Sequence, residues 1–79
     1  MFSSMTTHED LLLLVEARES ARSGRARRVR ELAGVSQAML GLAVGVDGSA
    51  ISRWERGLRA PRGPAAVRYA QTLRVLAKA

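Results

Sequence analysis

The chain has 79 residues, a formal net charge of +6 and no cysteine. Such a length forms one small domain with a marginal hydrophobic core, so we expect no separate catalytic or dimerisation domain. Without cysteine there can be no disulfide and no cysteine-based zinc site, and the fold must rest on packing alone. The apolar runs are too short to span a membrane and no signal-peptide pattern is present, so we expect a cytoplasmic protein.

The positive charge is concentrated beyond residue 21. Residues 1–21 carry one arginine and four acids, a formal charge of −3, whereas residues 22–79 carry twelve lysines or arginines and three acids, a formal charge of +9. A strongly basic region suits a polyanionic partner such as nucleic acid. A solvated charged surface is the simpler alternative, but such a surface rarely shows so large a difference in charge between two parts of one chain.

The first part of the chain predicts a leucine-rich helix. Residues 1–5 carry no signal, and we expect a disordered start. A helix is predicted over about Thr7–Glu19, because a threonine precedes it and acids occupy its first turn. Its leucines cover more than one narrow stripe, so it must bury against the domain's own core or against a second copy of the chain. The small and polar residues 20–24 predict a short connection.

A basic helix with an apolar seam follows the connection and ends at Gly34. Its seam consists of Val29, Leu32 and Ala33.

The stretch 34–57 predicts two short helices, about 37–44 and 48–56, joined by a tight turn. Glycines can adopt the left-handed conformation that closes a helix, and short polar side chains can accept hydrogen bonds from the first backbone N–H groups of the next helix. Two helices joined by a turn of three or four residues form the helix-turn-helix pattern. The closing glycines are Gly34, Gly45 and Gly57, and the capping residues are Ser36 and Asp47.

Apolar residues at helical spacing predict the core of this unit and a last helix over about 64–77, where Pro64 suits the first turn. We expect an all-α fold of five helices. The predicted core positions are Leu40, Ala43, Val44, Val46, Ile51, Trp54, Val67, Ala70, Leu73 and either Leu76 or Ala77.

Catalysis has little support in the sequence. The one histidine, His8, lies near the start, and the adjacent Glu9 and Asp10 are better explained as acids that stabilise a helix start. The glycines sit singly at helix ends and form no phosphate-binding loop. We therefore expect a protein that is not an enzyme and that uses no cofactor or metal.

The segment ARRVRELAGVSQAMLGLAVGVDGSAISRWERGLRAPRG resembles the lambda-repressor-like, XRE-type helix-turn-helix family, short phage or actinobacterial regulators in particular. The likeness spans about residues 25–76. It implies a helix-turn-helix domain over 22–79, with 1–21 as an extra N-terminal leucine-rich helix packed on or beside the core. The matching residues are Arg30, the AGVSQ run, Leu40 and Ala43, Gly45 and Val46, Ile51 and Ser52, RWERG followed by a proline, and Tyr69, Ala70 and Leu73.

The resemblance implies binding of double-stranded DNA, with helix 48–56 in the major groove. Arg53 is the best candidate for reading bases, because a guanidinium can form two hydrogen bonds with guanine, although a phosphate contact is a competing role. The implied base contacts are Ser49, Ser52 and Arg53; the implied phosphate contacts are Gln37, Arg56, Arg59 and Arg62.

The resemblance also implies two structural roles. Trp54 is expected in the core rather than on DNA. Arg30 and Glu55 are expected to form a partly buried ion pair, in which removal of one partner would leave the other charge stranded.

Three departures from the family pattern stand out. Gly48 stands where many relatives have a long polar side chain that contacts bases, so few side chains would read the DNA sequence directly. Gly41 replaces an alanine, which permits close helix approach. Met39 and Leu42 are apolar where relatives are usually polar. We hypothesise that they receive the N-terminal helix, through leucines such as Leu11 and Leu14, or a partner protein.

The sequence favours a sequence-specific transcriptional regulator, a repressor or Cro-like protein of phage or bacterial origin, associated with the nucleoid when bound. One recognition helix reads few base pairs, so we expect a homodimer or another protein on the operator. The alternative is an antitoxin or other protein-binding module on the same fold. Non-specific nucleic-acid binding by charge alone is a third interpretation.

Overall fold

The computed structural model describes residues 7–78, and within this range the chain is all-α with no strand, as predicted. The disordered start expected for residues 1–5 lies outside the described residues. The five helices are α1 (Thr7–Ser23), α2 (Arg25–Leu32), α3 (Gln37–Val44), α4 (Gly48–Glu55) and α5 (Gly63–Lys78).

The predicted caps around α3 and α4 are confirmed. The Ser36 hydroxyl accepts a hydrogen bond from the Met39 backbone N–H at 3.0 Å. The Asp47 carboxylate accepts one from the Ala50 N–H at 2.8 Å. The closing glycines have positive φ angles, 72° at Gly34, 90° at Gly45 and 73° at Gly57. The bounds of α3 and α4 therefore follow from local backbone chemistry.

The connection predicted over residues 20–24 is wrong. Helix α1 continues to Ser23, and Gly24 alone, with φ of 88°, separates it from α2. Ser20 and Ala21 are buried, and the Ser20 hydroxyl accepts a hydrogen bond from Arg25 at 2.8 Å. The small residues that resemble a break are thus positions where α1 packs closely against the rest of the domain.

Helix α1 belongs to the same core as the helix-turn-helix unit. It packs mainly on α5 and also on α2 and α4. The division expected at residue 21 falls inside α1, whose buried side chains join one continuous cluster. The buried apolar residues of that cluster are Leu13, Ala17, Ala21, Ala26, Leu40, Val44, Ile51, Trp54, Ala66, Tyr69, Ala70 and Leu73.

One predicted seam position and one predicted core position are exposed. Leu32 on α2 is 82% exposed, because the inward face of α2 is formed by Ala26 and Arg30, which lie one helical turn apart. Ala43 on α3 is also exposed. The predicted seam of α2 is therefore correct at Val29, which packs on the core, and wrong at Leu32; the inward position next to Val29 is occupied by Arg30.

Two glycines allow close backbone approach in the α3–α4 unit, Gly41 to the turn and Gly48 to α3. A Cβ atom at Gly41 would lie 2.5 Å from the Val46 carbonyl oxygen, which real structures do not tolerate. A Cβ at Gly48 would lie 3.2 Å from the Cα of Ala38. Gly41 thus allows close approach of the turn rather than of another helix, and Gly48 is the glycine at the contact between α3 and α4.

Candidate nucleic-acid interface

Helix α4 has one buried face and one face that is open to solvent. Ile51 and Trp54 are 0% and 6% exposed, as predicted, and the Trp54 ring lies 4.8 Å from that of Tyr69 on α5. The opposite face borders a shallow polar groove of about 410 Å³. The groove is lined by Gln37, Gly48, Ser49, Ser52, Arg53 and Arg56. The structure therefore brings together all three candidate base-contacting residues and two of the four candidate phosphate contacts.

The Glu55 carboxylate connects three helices beneath this groove. It accepts hydrogen bonds from Arg30 Nε at 2.6 Å and Arg30 Nη2 at 3.0 Å, and its side chain is only 2% exposed. Arg30 also donates to the Val35 carbonyl at 2.9 Å. The pair that the resemblance implies is thus a bidentate, buried ion pair between α2 and α4.

Burial raises the pKa of Glu55, but the hydrogen bonds from Arg30 and Gln37 and the positive charge of Arg30 outweigh it. The pKa of Glu55 therefore lies below its ordinary value, and the carboxylate is ionised at neutral pH. The same hydrogen bond raises the pKa of Arg30. Next to them, burial raises the pKa of the Tyr69 hydroxyl, which is buried without a hydrogen-bond partner in the described part of the chain.

Gln37 has a contact that the sequence did not indicate. Its side-chain amide donates to the Glu55 carboxylate at 3.0 Å. An amide nitrogen carries two hydrogens, so one N–H group remains for another acceptor. Glu55 thus fixes the orientation of Gln37 at the edge of the groove. The link joins residues 18 positions apart, and no spacing rule for a single helix could have revealed it.

The arginines divide into two groups. One group is held within the domain by carboxylates, a hydroxyl or backbone carbonyls: Arg18, Arg22, Arg25, Arg27, Arg30, Arg68 and Arg74. The other group is exposed, and its side chains have no hydrogen bond or ion pair with residues 7–78: Arg28, Arg53, Arg56, Arg59 and Arg62. Four of these five lie on α4 and the loop after it. The unpaired positive charge is therefore concentrated on α4 and the loop after it, and two of these arginines, Arg53 and Arg56, line the groove.

A comparison with family models matches residues 27–76 to the model described as Helix-turn-helix. This match covers more than half of the 79 residues. The chain belongs to the helix-turn-helix family, of the XRE, lambda-repressor-like type. No curated protein and no solved structure gave a significant match.

Membership identifies this chain as a DNA-binding regulator of a class that is generally not enzymatic. Among the described residues there is no cluster of histidine and acidic side chains able to hold a metal ion. None of the helices in residues 7–78 combines the length and the apolar character that crossing a membrane requires.

The helix-turn-helix domain leaves part of its apolar surface uncovered. Met39 and Leu42 on α3 are 56% and 84% exposed. The hypothesis that the N-terminal helix covers them is therefore wrong: the buried stripe of α1 faces α5 instead. Leu11 and Leu14 line a separate groove between α1 and α5. Docking of a partner on either surface stays a prediction.

Proposed function

We propose that this protein is a sequence-specific regulator of transcription, a repressor or Cro-like protein of phage or bacterial origin, that inserts α4 into the major groove of double-stranded DNA. The observation that carries the proposal is the grouping of unpaired arginines on α4 and the following loop, beside a polar groove. Exposed arginines without acidic partners, on the helix that the family uses to read DNA, suit a polyanion.

Arg53, Ser49 and Ser52 are the proposed base contacts. Arg53 is exposed and can offer two parallel N–H groups to guanine, while the serine hydroxyls can donate or accept. Gly48 presents no side chain at the start of α4, so Arg53 would carry most of the direct readout.

Gln37, Arg56, Arg59 and Arg62 are the proposed phosphate contacts. Because Glu55 accepts one amide N–H of Gln37, the second N–H would be directed to a phosphate oxygen with little loss of side-chain freedom. The arginines would fix the register of the domain on the duplex without specifying sequence.

Sparse readout implies that more than one subunit occupies the operator. One α4 would read only a few base pairs, and two copies on adjacent half-sites would multiply the specificity. The exposed α1 leucines or the last helix would supply the contact between copies.

The test is binding to DNA selected from a random pool, compared with unselected duplex, over a range of salt concentrations. Arg53→Ala should lower the preference for selected DNA, because a good bidentate base contact contributes roughly 1–3 kcal/mol of discrimination. The matched control, Arg59→Ala, should weaken binding to both duplexes equally and reduce the steepness of log K against log salt by about 0.9. An unchanged preference in Arg53→Ala would remove its assignment as the base reader.

A second candidate function is an antitoxin or other protein-binding module, which the exposed apolar face of α3 favours. In that case Met39→Ser combined with Leu42→Ser would abolish binding of the protein partner and leave DNA affinity unchanged. Under the regulator proposal the same variant keeps both its DNA affinity and its operator preference. A small toxin encoded next to this chain would favour the module.

A further inference from the structure

A small pocket of about 160 Å³ separates the second half of α1 from the loop that follows α4. Three arginines from these two segments line it: Arg18 and Arg22 from α1, and Arg59 from the loop. The buried Trp54 also lines the pocket. Arg18 and Arg22 are four residues apart and therefore lie on one face of α1.

The arginines in this pocket differ in how they are held. Arg18 donates its Nε–H to the Pro61 carbonyl at 2.9 Å, which orients the side chain and leaves its terminal N–H groups available. Arg22 forms an exposed ion pair with Glu19. Arg59 has no side-chain partner among residues 7–78. Three arginine side chains thus line one pocket, and Glu19 is the one carboxylate paired with any of them among residues 7–78, so a bound anion would offset the remaining positive charge.

We propose that Arg18, Arg22 and Arg59 form a phosphate site, and that its ligand is a backbone phosphate of the DNA flanking the bases under α4. Guanidinium groups match the geometry of phosphate oxygens, and Arg18 is already oriented by Pro61. The site rests on the proposed function and extends it, because α1 lies outside the matched residues 27–76 and would add two phosphate contacts to those of the helix-turn-helix unit.

The experiment measures the affinity of the full chain for selected and unselected duplex over a range of salt concentrations. Arg18→Gln should weaken both equally and reduce the steepness of log K against log salt by about 0.9. Lys78→Gln, which removes one positive charge at the far end of α5, should leave the steepness close to that of the wild type. A wild-type steepness in a folded Arg18→Gln protein would overturn the proposal.

A second variant acts in the opposite direction and keeps the bond to Pro61. Glu19→Gln removes the carboxylate that competes for Arg22, so binding at low salt should tighten by roughly two- to fivefold. Its matched control is Glu16→Gln, which neutralises another α1 acid and releases Arg74, a residue that does not line this pocket. Equal effects of the two variants would overturn the proposal even if Arg18→Gln fails to fold.

Titration of the free protein with inorganic phosphate separates the two sources of such an anion. Shifts of the Trp54 indole N–H signal, together with unchanged salt dependence in Arg18→Gln, would indicate a free-anion site and overturn the DNA assignment. Failure of the wild-type chain to bind any duplex would overturn the proposed function and this inference with it. Duplex binding with salt dependence that Arg18→Gln leaves unchanged would overturn the inference alone.

Discussion

The α3–α4 unit and α1 differ in almost every respect. The unit lies wholly within the family match, is bounded by caps and glycines, and turns a polar face outward. Helix α1 precedes the match, begins with acids, and contributes Leu13, Ala17, Ser20 and Ala21 to the buried interior. The comparison teaches that the residues proposed to read DNA and the residues by which α1 joins the core are two different sets in this chain.

The largest expected effect comes from deleting residues 1–23. The deletion exposes the α5 surface on which α1 packs, in a domain whose size allows only a marginal core. We expect the remaining 24–79 segment to lose its cooperative thermal transition, measured by circular dichroism. A truncated chain that melts cooperatively near the wild-type temperature would show that the helix-turn-helix unit folds alone.

Glu55→Gln should be the most damaging point substitution inside the α3–α4 unit. It leaves Arg30 charged, 10% exposed and without its bidentate partner, with the exposed Glu31 carboxylate 3.9 Å away; breaking a buried pair typically costs about 3–5 kcal/mol. The free energy of unfolding from urea titration measures the loss. The double variant Arg30→Met with Glu55→Leu is the control, because it leaves no stranded charge and should recover much of the stability.

The same carboxylate should make stability depend on pH. Glu55 has a pKa below the ordinary 4.5 in the folded protein, so the unfolded chain takes up protons first as the pH falls. The ionised Glu55 therefore stabilises the folded state fully at pH values above the ordinary pKa, and this stabilisation is lost as the pH falls through the lower pKa of the folded state. Urea titrations between neutral pH and pH 3 should show this loss in the wild type. The loss should be smaller in Glu55→Gln, and an identical acid profile would contradict the ionised pair.

Gly41→Ala should destabilise the domain by about 1–3 kcal/mol, because the added methyl group would lie 2.5 Å from the Val46 carbonyl oxygen. The usual gain in helix propensity from glycine to alanine is smaller than this steric cost. Thermal melting is the measurement. An unchanged or raised melting temperature would mean that the turn after α3 can move away from Gly41 freely.

Leu32→Ala should have the smallest effect, within about 0.5 kcal/mol, because Leu32 is 82% exposed. Leu13→Ala is the matched control. Leu13 is 6% exposed, and truncation of a buried leucine costs about 2–5 kcal/mol of folding free energy. Equal losses in the two variants would contradict the orientation of α2.

The elements that the sequence predicted well are those set by local chemistry. Ser36, Asp47 and the closing glycines act within one turn of chain, so the bounds of α3 and α4 could be derived from spacing. Ile51 and Trp54 were also predictable, because a short amphipathic helix has one apolar face.

The errors occurred where tertiary packing overrides local preference. Ser20 and Ala21 resemble a loop by composition, but they allow close packing of α1. Leu32 resembles a core residue by type, yet Arg30 takes the inward position because it pairs with the buried Glu55 carboxylate on α4. Neither that arrangement nor the Gln37–Glu55 hydrogen bond has a local signal. The base and phosphate contacts come from the family resemblance, and the exposed arginines agree with them without testing them.

The close approach at Gly41 and Gly48 has a consequence for how this regulator could acquire new operators. Gly41 packs against the turn backbone at Val46, Gly48 packs against the α3 backbone at Ala38, and Glu55 fixes Gln37 to α4. None of these contacts involves the side chains of Ser49, Ser52 or Arg53, the proposed base contacts. These three side chains can therefore be exchanged without changing how α3 and α4 pack. A library varied at these positions alone should yield new specificities on an unchanged scaffold.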